Sequence, residues 1–345
     1  MKTRIESLGA YLPVKEVSTS ELISRMAMEP TFDLEKITGI KKRRVRSENE
    51  STYTMAIEAA EDCLSHSTYK PEDIDIIISA SITRTKEAQM TYIEPPMSLF
   101  IKNHLGAHHA MNFDITNACA GMNTGAYILN NMIKAGTVRR GMVVSGECIT
   151  PIADTAVREI SEPIDDQFAS LTVGDSGAAF IMDGCGTDTE GIDFIEFMTT
   201  AGYSHMCLAM PSETGAGIAM YTKVQAMHKK DLIHEIPLFI QDVFEKRGTP
   251  FDPAGFDYII PHQVSIGAIK SYMKSVREHF NTELPDTLVV VEDLGNTSST
   301  SHFVVMYTYL KNKQLKKGDR LFILSTASGL NVGLMSMTLG DLEVA

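Results

Sequence analysis

The chain reads as a duplicated, layered α/β fold, predicted by an in-order internal repeat and by alternation of helix-like with strand-like runs. Pro71–Ile78 (Pro-Glu-Asp-Ile-Asp-Ile-Ile-Ile) recurs in pattern as Pro253–Ile260 (Pro-Ala-Gly-Phe-Asp-Tyr-Ile-Ile), 182 positions further on. Gly136–Ser145 then matches Gly318–Ser325 at nearly the same offset, once a two-residue gap is allowed. Two ordered matches at nearly one spacing indicate duplication. The glycine-rich stretch Asp183-Gly184-Cys185-Gly186 places the boundary, giving halves 1–183 and 184–345.

Each half repeats the same series. Amphipathic helices are expected over Thr54–His66 and Ile233–Arg247, followed by apolar strands over Ile74–Ser81 and Tyr258–Pro261. Further helices over Met122–Ala135 and Ser301–Lys311 precede strands over Met142–Ser145 and Leu321–Ser325. Strands separated by helices run parallel with crossover connections. The unbroken run Ile76-Ile77-Ile78 calls for a strand covered on both faces. The product is a pseudo-twofold protein with its site between the halves.

Composition narrows the class. At 345 residues with a formal net charge of −13, the chain has no basic surplus for nucleic acid. Its five scattered cysteines form no C-x-x-C pair, so neither a disulfide framework nor a zinc site is expected. No run approaches the ~18 apolar residues of a membrane span, and Met1–Glu6 lacks the apolar core of a signal peptide. A cytoplasmic protein is expected. No metal or nicotinamide site is proposed, because Gly215-Ala216-Gly217 is not a complete dinucleotide fingerprint.

Three strings stand where apolar runs end and helix-like runs begin: Asn117-Ala118-Cys119-Ala120-Gly121, Pro261-His262-Gln263 and Gly295-Asn296-Thr297-Ser298. Together they offer a thiol, an imidazole and a carboxamide, the groups that acyl transfer needs. A lone cysteine is usually buried and inert, but the small neighbours of Cys119 leave room for a substrate, and a helix N-terminus stabilises a thiolate. The other four cysteines keep the inert reading. His262 falls on the repeat position of Ala80. Asn296 also fits a turn or helix cap, the commoner role of Gly-Asn-Thr-Ser. Most of the 20 methionines are assigned to the core, and some suit an adaptable acyl tunnel.

These strings, with Thr38–Arg43, Val173–Ala179, Leu315–Arg320 and Ser328-Gly329-Leu330, resemble the β-ketoacyl-acyl carrier protein synthase III family of the thiolase superfamily over nearly the whole chain. The resemblance implies two βαβαβ-type halves packed as five layers, α-β-α-β-α. It implies that Cys119 carries an acyl group as a thioester, while His262 and Asn296 bind the second substrate's carbonyl as it becomes an enolate. The backbone of Cys119, with that of Ser328 or Gly329, forms the other oxyanion hole. Acyl-CoA or a phosphopantetheine thioester is the substrate, no further cofactor is expected, and the partners are an acyl carrier protein and a second copy of the chain. Lys41, Arg43 and Arg44 are candidates for the CoA or carrier phosphate, a solvated basic loop being the plainer alternative.

The departures are informative. Val264-Ser265 replaces the family's Ala-Asn, Gly267 replaces a carrier-docking arginine, and Ala327-Ser328-Gly329 replaces a glycine triplet. Tyr92-Ile93-Glu94-Pro95 stands where the housekeeping enzymes carry a phenylalanine that closes the partner's pocket. In this it is similar to thiolase-like enzymes that join two fatty acyl thioesters head to head, where a glutamate from the neighbouring subunit is assigned as base. Glu94 is therefore the candidate base of a non-decarboxylating Claisen condensation, which needs one, unlike a decarboxylating step. Two other readings remain: transfer of the acyl group from Cys119 to an alcohol or amine, and a non-catalytic subunit of a related synthase.

Overall fold

The computed structural model describes the chain except Pro30, Ala88, Gln89, Pro163, Ile164 and His228, and the side chains of Lys230 and Asp231. Ten strands form two five-stranded sheets. The first contains β1 (Lys2–Tyr11), β2 (Ile76–Ser79), β3 (Met111–Asp114), β4 (Arg140–Glu147) and β5 (Ser176–Gly186) in the order β1-β5-β4-β2-β3. The second contains β6 (Gly191–Thr199), β7 (Tyr258–Pro261), β8 (Asp286–Thr287), β9 (Arg320–Ala327) and β10 (Asn331–Thr338) in the order β6-β10-β9-β7-β8. The second order is the first advanced by five strands. Pairing agrees as well: β2 runs parallel to β3 and β4, β7 runs parallel to β8 and β9, and the remaining pairs are antiparallel. The backbone N–H groups of Ala80 and His262 each donate at 2.9 Å to the neighbouring strand, at Val144 and Leu324, so the repeat position is shared in space.

Six helices cover the sheets: α1 (Thr52–Ser65), α2 (Met97–Leu105), α3 (Gly121–Lys134), α4 (Lys230–Lys246), α5 (Ile266–Phe280) and α6 (Ser301–Lys311). Helices α3 and α6 fill the middle layer, where Met122, Leu129, Phe303 and Met306 share one core with Ile76, Ile78, Phe180, Ile260 and Ile323. Phe180 of β5 stacks on Phe303 of α6 with ring centroids 4.5 Å apart. On the outside, α1 and α2 pack on Ile77, Met142 and Val144, while α4 and α5 pack on Phe322, Leu324 and Leu334. Successive strand residues point to opposite faces. Ile76 and Ile78 therefore face the middle layer and Ile77 the outer one, which explains the unbroken apolar run.

The expected elements are present with shifted ends. The helix placed at Thr54–His66 starts at Thr52, because Ser51 caps it and exchanges hydrogen bonds with Thr54 in a capping box. The strand placed at Ile74–Ser81 keeps only Ile76–Ser79, since Pro71–Asp73 forms a 3₁₀ turn ahead of it. The division expected after Asp183 falls inside β5, and the sheets are joined by the turn closed by Thr187 and Glu190. Among the described residues no helix is long and apolar enough to cross a membrane.

Among the described residues two short ribbons belong to neither large sheet: Glu16–Ser18 pairs with Lys42–Arg44, and the second borders the site. Cys207–Pro211 pairs antiparallel with Ile218–Thr222, and it is tied to the chain before β5 by Thr222 N to Asp166 O at 2.7 Å and Ser170 Oγ to Met220 O at 3.2 Å.

Helix α1 lies directly on strand backbone. A Cβ on Gly146 of β4 would fall 2.0 Å from Thr52 O, and one on Gly177 of β5 would fall 2.1 Å from Met55 O. Only glycine permits that approach. Gly177→Ala is expected to cost ~1–3 kcal/mol as overpacking, read as a lower urea midpoint with an unchanged m-value.

Candidate active site

The nucleophile candidate stands on a strained turn. After β3, residues Ala118–Ala120 make a 3₁₀ turn that feeds α3 directly, and Ala118 opens it with φ 45°. The second sheet carries a counterpart: Ser298–Thr300 make a 3₁₀ turn feeding α6, and Ser298 has φ 57°. Left-handed backbone without glycine is costly and gathers at functional sites. The two turns meet, with Cys119 Sγ 3.6 Å from Ser298 Oγ. Behind them Asn123 of α3 bonds His302 of α6 at 3.3 Å.

Asn296 precedes the second turn. Its backbone is held by N–H donation to Thr172 O at 2.8 Å and by acceptance from Gly174 N at 3.0 Å. Its side-chain Oδ1 accepts from Ser298 N at 3.0 Å, so the turn-forming role that the sequence left open is realised by the oxygen. The amide nitrogen is the donor left to face the cavity. His262 follows β7 and is 3 % exposed. Burial, then the neighbouring His302, lowers its pKa to about 3, so the ring is neutral and holds one N–H and one lone pair. Its Nδ1 has no hydrogen-bond partner among the described residues.

Cys119, His262 and Asn296 line one cavity of about 450 Å³. Its walls are chiefly apolar, including Ile37, Phe168, Met220, Leu232, Ile236 and Tyr272. Met220 and Met227 line the cavity, whereas Met55, Met97, Met122 and Met335 are core. Ser328 joins the lining from the β9–β10 hairpin, and Gly329 beside it has φ 112°. Asn331 clamps that hairpin to the Cys119 turn by donating to Asn117 Oδ1 at 2.9 Å.

Burial among these walls pushes the Cys119 thiol up to about 12, outweighing the hydrogen bond from Ser298 that favours the thiolate. Desolvation therefore outweighs the help that a helix terminus gives a thiolate.

The basic patch is corrected. Arg43 is 1 % exposed and donates inward, to Leu171 O and to Thr19 Oγ1, so it cannot meet a phosphate. Arg44 is paired with Glu16 at 2.8 Å. Lys41 is exposed, 3.4 Å from Glu292. None of the three lines the cavity. Glu94 is exposed on the loop before α2 and is likewise absent from its own chain's cavity.

Two residues that the sequence left without a role belong to the site. Cys207, read as inert, opens the ribbon and lines the cavity, its Sγ 3.4 Å from Thr222 Oγ1. Gln263 ties the His262 segment to the approach to Asn296: Nε2 donates to Pro261 O and Leu288 O, and Oε1 accepts from Val290 N and Val291 N. A glutamine buried next to a candidate histidine was the available signal. Among the described residues, no group of three or more His, Cys, Asp or Glu could hold a metal ion.

Burial also lowers the His302 pKa, to about 4. With both histidines below their ordinary 6.5, the unfolded chain binds protons that the folded chain refuses. Stability is complete above that value and declines as pH falls toward 3, by up to about 1.4 kcal/mol per pH unit for each ring. Urea titrations across this window should give a shallower decline for His262→Gln than for the unaltered chain.

The family model for 3-oxoacyl-[acyl-carrier-protein] synthase III matches residues 113–202, and the model for its C-terminal part matches 248–339. The chain is 28% identical over 335 residues to a β-ketoacyl-[acyl-carrier-protein] synthase III of Deinococcus deserti, covering 95% of this chain and 88% of that one. It is 25% identical over 334 residues to the enzyme of the same name from Histophilus somni, covering 96% and 98%. Among solved structures it is similar to Xanthomonas campestris OleA with bound lauric acid and lauroyl-CoA (TM-score 0.81, 21% identity, 98% and 99% covered). It is also similar to the Aquifex aeolicus 3-oxoacyl-[acyl-carrier-protein] synthase III (TM-score 0.79, 23% identity, 98% and 100% covered). The fold is thiolase-like, and with two matched regions spanning more than half its length the chain belongs to the 3-oxoacyl-[acyl-carrier-protein] synthase III family of condensing enzymes.

Proposed function

We propose that this enzyme joins two acyl thioesters by Claisen condensation, with acyl-CoA or acyl carrier protein as donor. The observation that supports it is the meeting of Cys119, His262 and Asn296 on one apolar cavity. Cys119 Sγ attacks the donor thioester carbonyl, the bond to the carrier sulfur breaks, and the carrier leaves as a thiol with the Cys119 proton. The oxyanion formed on the way is held by backbone N–H groups of Cys119 and the Ser328-Gly329 turn. The acceptor then binds with its thioester oxygen at His262 and the Asn296 amide. Its enolate carbon attacks the acyl carbon, the C–S bond breaks, and Cys119 recovers a proton. Neutral His262 suits this, since its N–H stabilises the enolate oxygen without adding a buried charge.

For the enolate we propose Glu94 as base, acting in the cavity of a second copy. Two features support a copy there. Among the described residues strand β3 is a sheet edge, paired only with β2. Two exposed apolar side chains, Met111 (46 %) at the start of β3 and Ile93 (83 %) next to Glu94 in the chain, would be left in water by a monomer.

Intact-mass measurement after incubation with acyl thioesters tests the first step. Cys119→Ala should take up no acyl mass, and label on another cysteine would overturn the assignment. His262→Ala and Asn296→Ala should still self-acylate while condensation falls by ~10²-fold or more. Equal loss of both steps would give these residues another role.

Glu94→Gln should lower turnover by ~10²–10⁴-fold with self-acylation intact. In mixed dimers, a Glu94→Gln chain paired with a Cys119→Ala chain should retain one competent site. A fully active monomer would remove the basis for Glu94 acting from a second copy, whereas normal turnover by Glu94→Gln, or strict use of malonyl thioesters with release of carbon dioxide, would put the decarboxylating reaction in its place.

A further inference from the structure

Beneath the two turns lies an acid that the reaction does not use. Glu147 ends β4, is wholly buried, and forms no salt bridge among the described residues. Its Oε1 accepts from Ile82 N at 3.0 Å, from Ser145 Oγ at 3.3 Å and from Ser299 Oγ. Its Oε2 accepts from Thr83 N at 3.3 Å and Thr83 Oγ1 at 3.2 Å. These donors come from three separate segments: the turn after β2, β4 itself, and the second 3₁₀ turn. An acid buried without a cation is retained at a cost, and what it gains here is the order of the chains that donate to it.

Ser299 makes this order relevant to the thiol. It occupies in the second turn the place Cys119 occupies in the first, one residue after the left-handed position. Its hydroxyl meets Ser145 Oγ at 2.8 Å as well as the carboxylate. The residue before it, Ser298, is the one whose Oγ touches Cys119 Sγ.

We propose that Glu147 is a positioning residue for Cys119: by accepting the Ser299 hydroxyl it pins the second turn, and that turn holds Ser298 Oγ against the sulfur. The inference rests on the reading of Cys119 as nucleophile. The same carboxylate has a second effect, because its negative charge opposes formation of the thiolate. The other titratable groups around it are Cys148, the next residue, and Asp175 and Arg46, whose charges both fall on Cys148. Arg84, on the segment that supplies Ile82 and Thr83, is turned away to Asp114 and Ile93 O. The second turn brings only Ser298, Ser299 and Thr300, and α1 brings Thr52, bonded to Thr83 Oγ1 at 2.8 Å. Burial pushes the Glu147 carboxyl up to about 7, so its charge is present at the alkaline pH where cysteine alkylation is followed.

The test is iodoacetamide alkylation of Cys119 at fixed alkaline pH, followed by peptide mass so that the exposed Cys185 is counted separately, on two variants. S299A keeps the charge and loses the pin, so alkylation should slow, and self-acylation should slow by about tenfold. E147Q keeps an oxygen for Ser299 and loses the charge, so alkylation should speed up. Loss of stability alone does not move the two variants in opposite directions, and thermal unfolding of each checks the fold. S299A reacting like the unaltered chain would overturn the inference, as would slowed alkylation in both variants. Acyl mass on a different cysteine after incubation with an acyl thioester would overturn the nucleophile reading and this inference with it, whereas unaltered S299A kinetics overturn this inference alone.

Discussion

The site depends on the meeting of two turns, each opened by a residue held in left-handed backbone, Ala118 in one and Ser298 in the other, with Cys119 Sγ against Ser298 Oγ. Each opens a one-turn 3₁₀ segment that becomes a middle-layer helix, so the helices that fill the core also fix the turns. Strain of this kind, of order 1–3 kcal/mol per residue, persists only where the surroundings over-determine it. The surroundings here are the Phe180–Phe303 stack, the Asn123–His302 bond and the Asn331–Asn117 clamp. A sulfur placed by core packing has little freedom to move, and that is what a nucleophile in a closed cavity requires.

The electrostatics follow from burial more than from charge pairing. Cys119, His262 and Glu147 are each driven toward their neutral forms by desolvation. A chiefly apolar cavity with a few placed donors strengthens interactions with charge that appears during reaction, because its walls screen that charge less than bulk water does.

Much of this was legible in the sequence, for identifiable reasons. The run Ile76-Ile77-Ile78 announced a strand covered on both faces, and the repeat located His262 opposite Ala80. Arg43 was misjudged because a basic run hides a period of two: on the short strand Lys42–Arg44, alternation turns Arg43 inward while its neighbours face out. Cys207 was misjudged because nothing local marks it, its place in the cavity being set by a ribbon whose ties lie on distant segments. Glu147 was passed over because a glutamate at the end of an apolar strand reads as its solvent-facing stop, whereas three segments of chain converge to bury it.

The ribbon Cys207–Pro211 and Ile218–Thr222 gives the cavity Cys207, Met220 and Thr222, yet among the described residues it pairs with neither large sheet, and the Val224–Met227 turn of helix after it extends the same wall. The parts that hold the reacting groups and the part that shapes the space around them are therefore separate pieces of chain. A change of side-chain volume on the inner face of the ribbon reshapes the cavity and leaves the register of the duplicated sheets as it is.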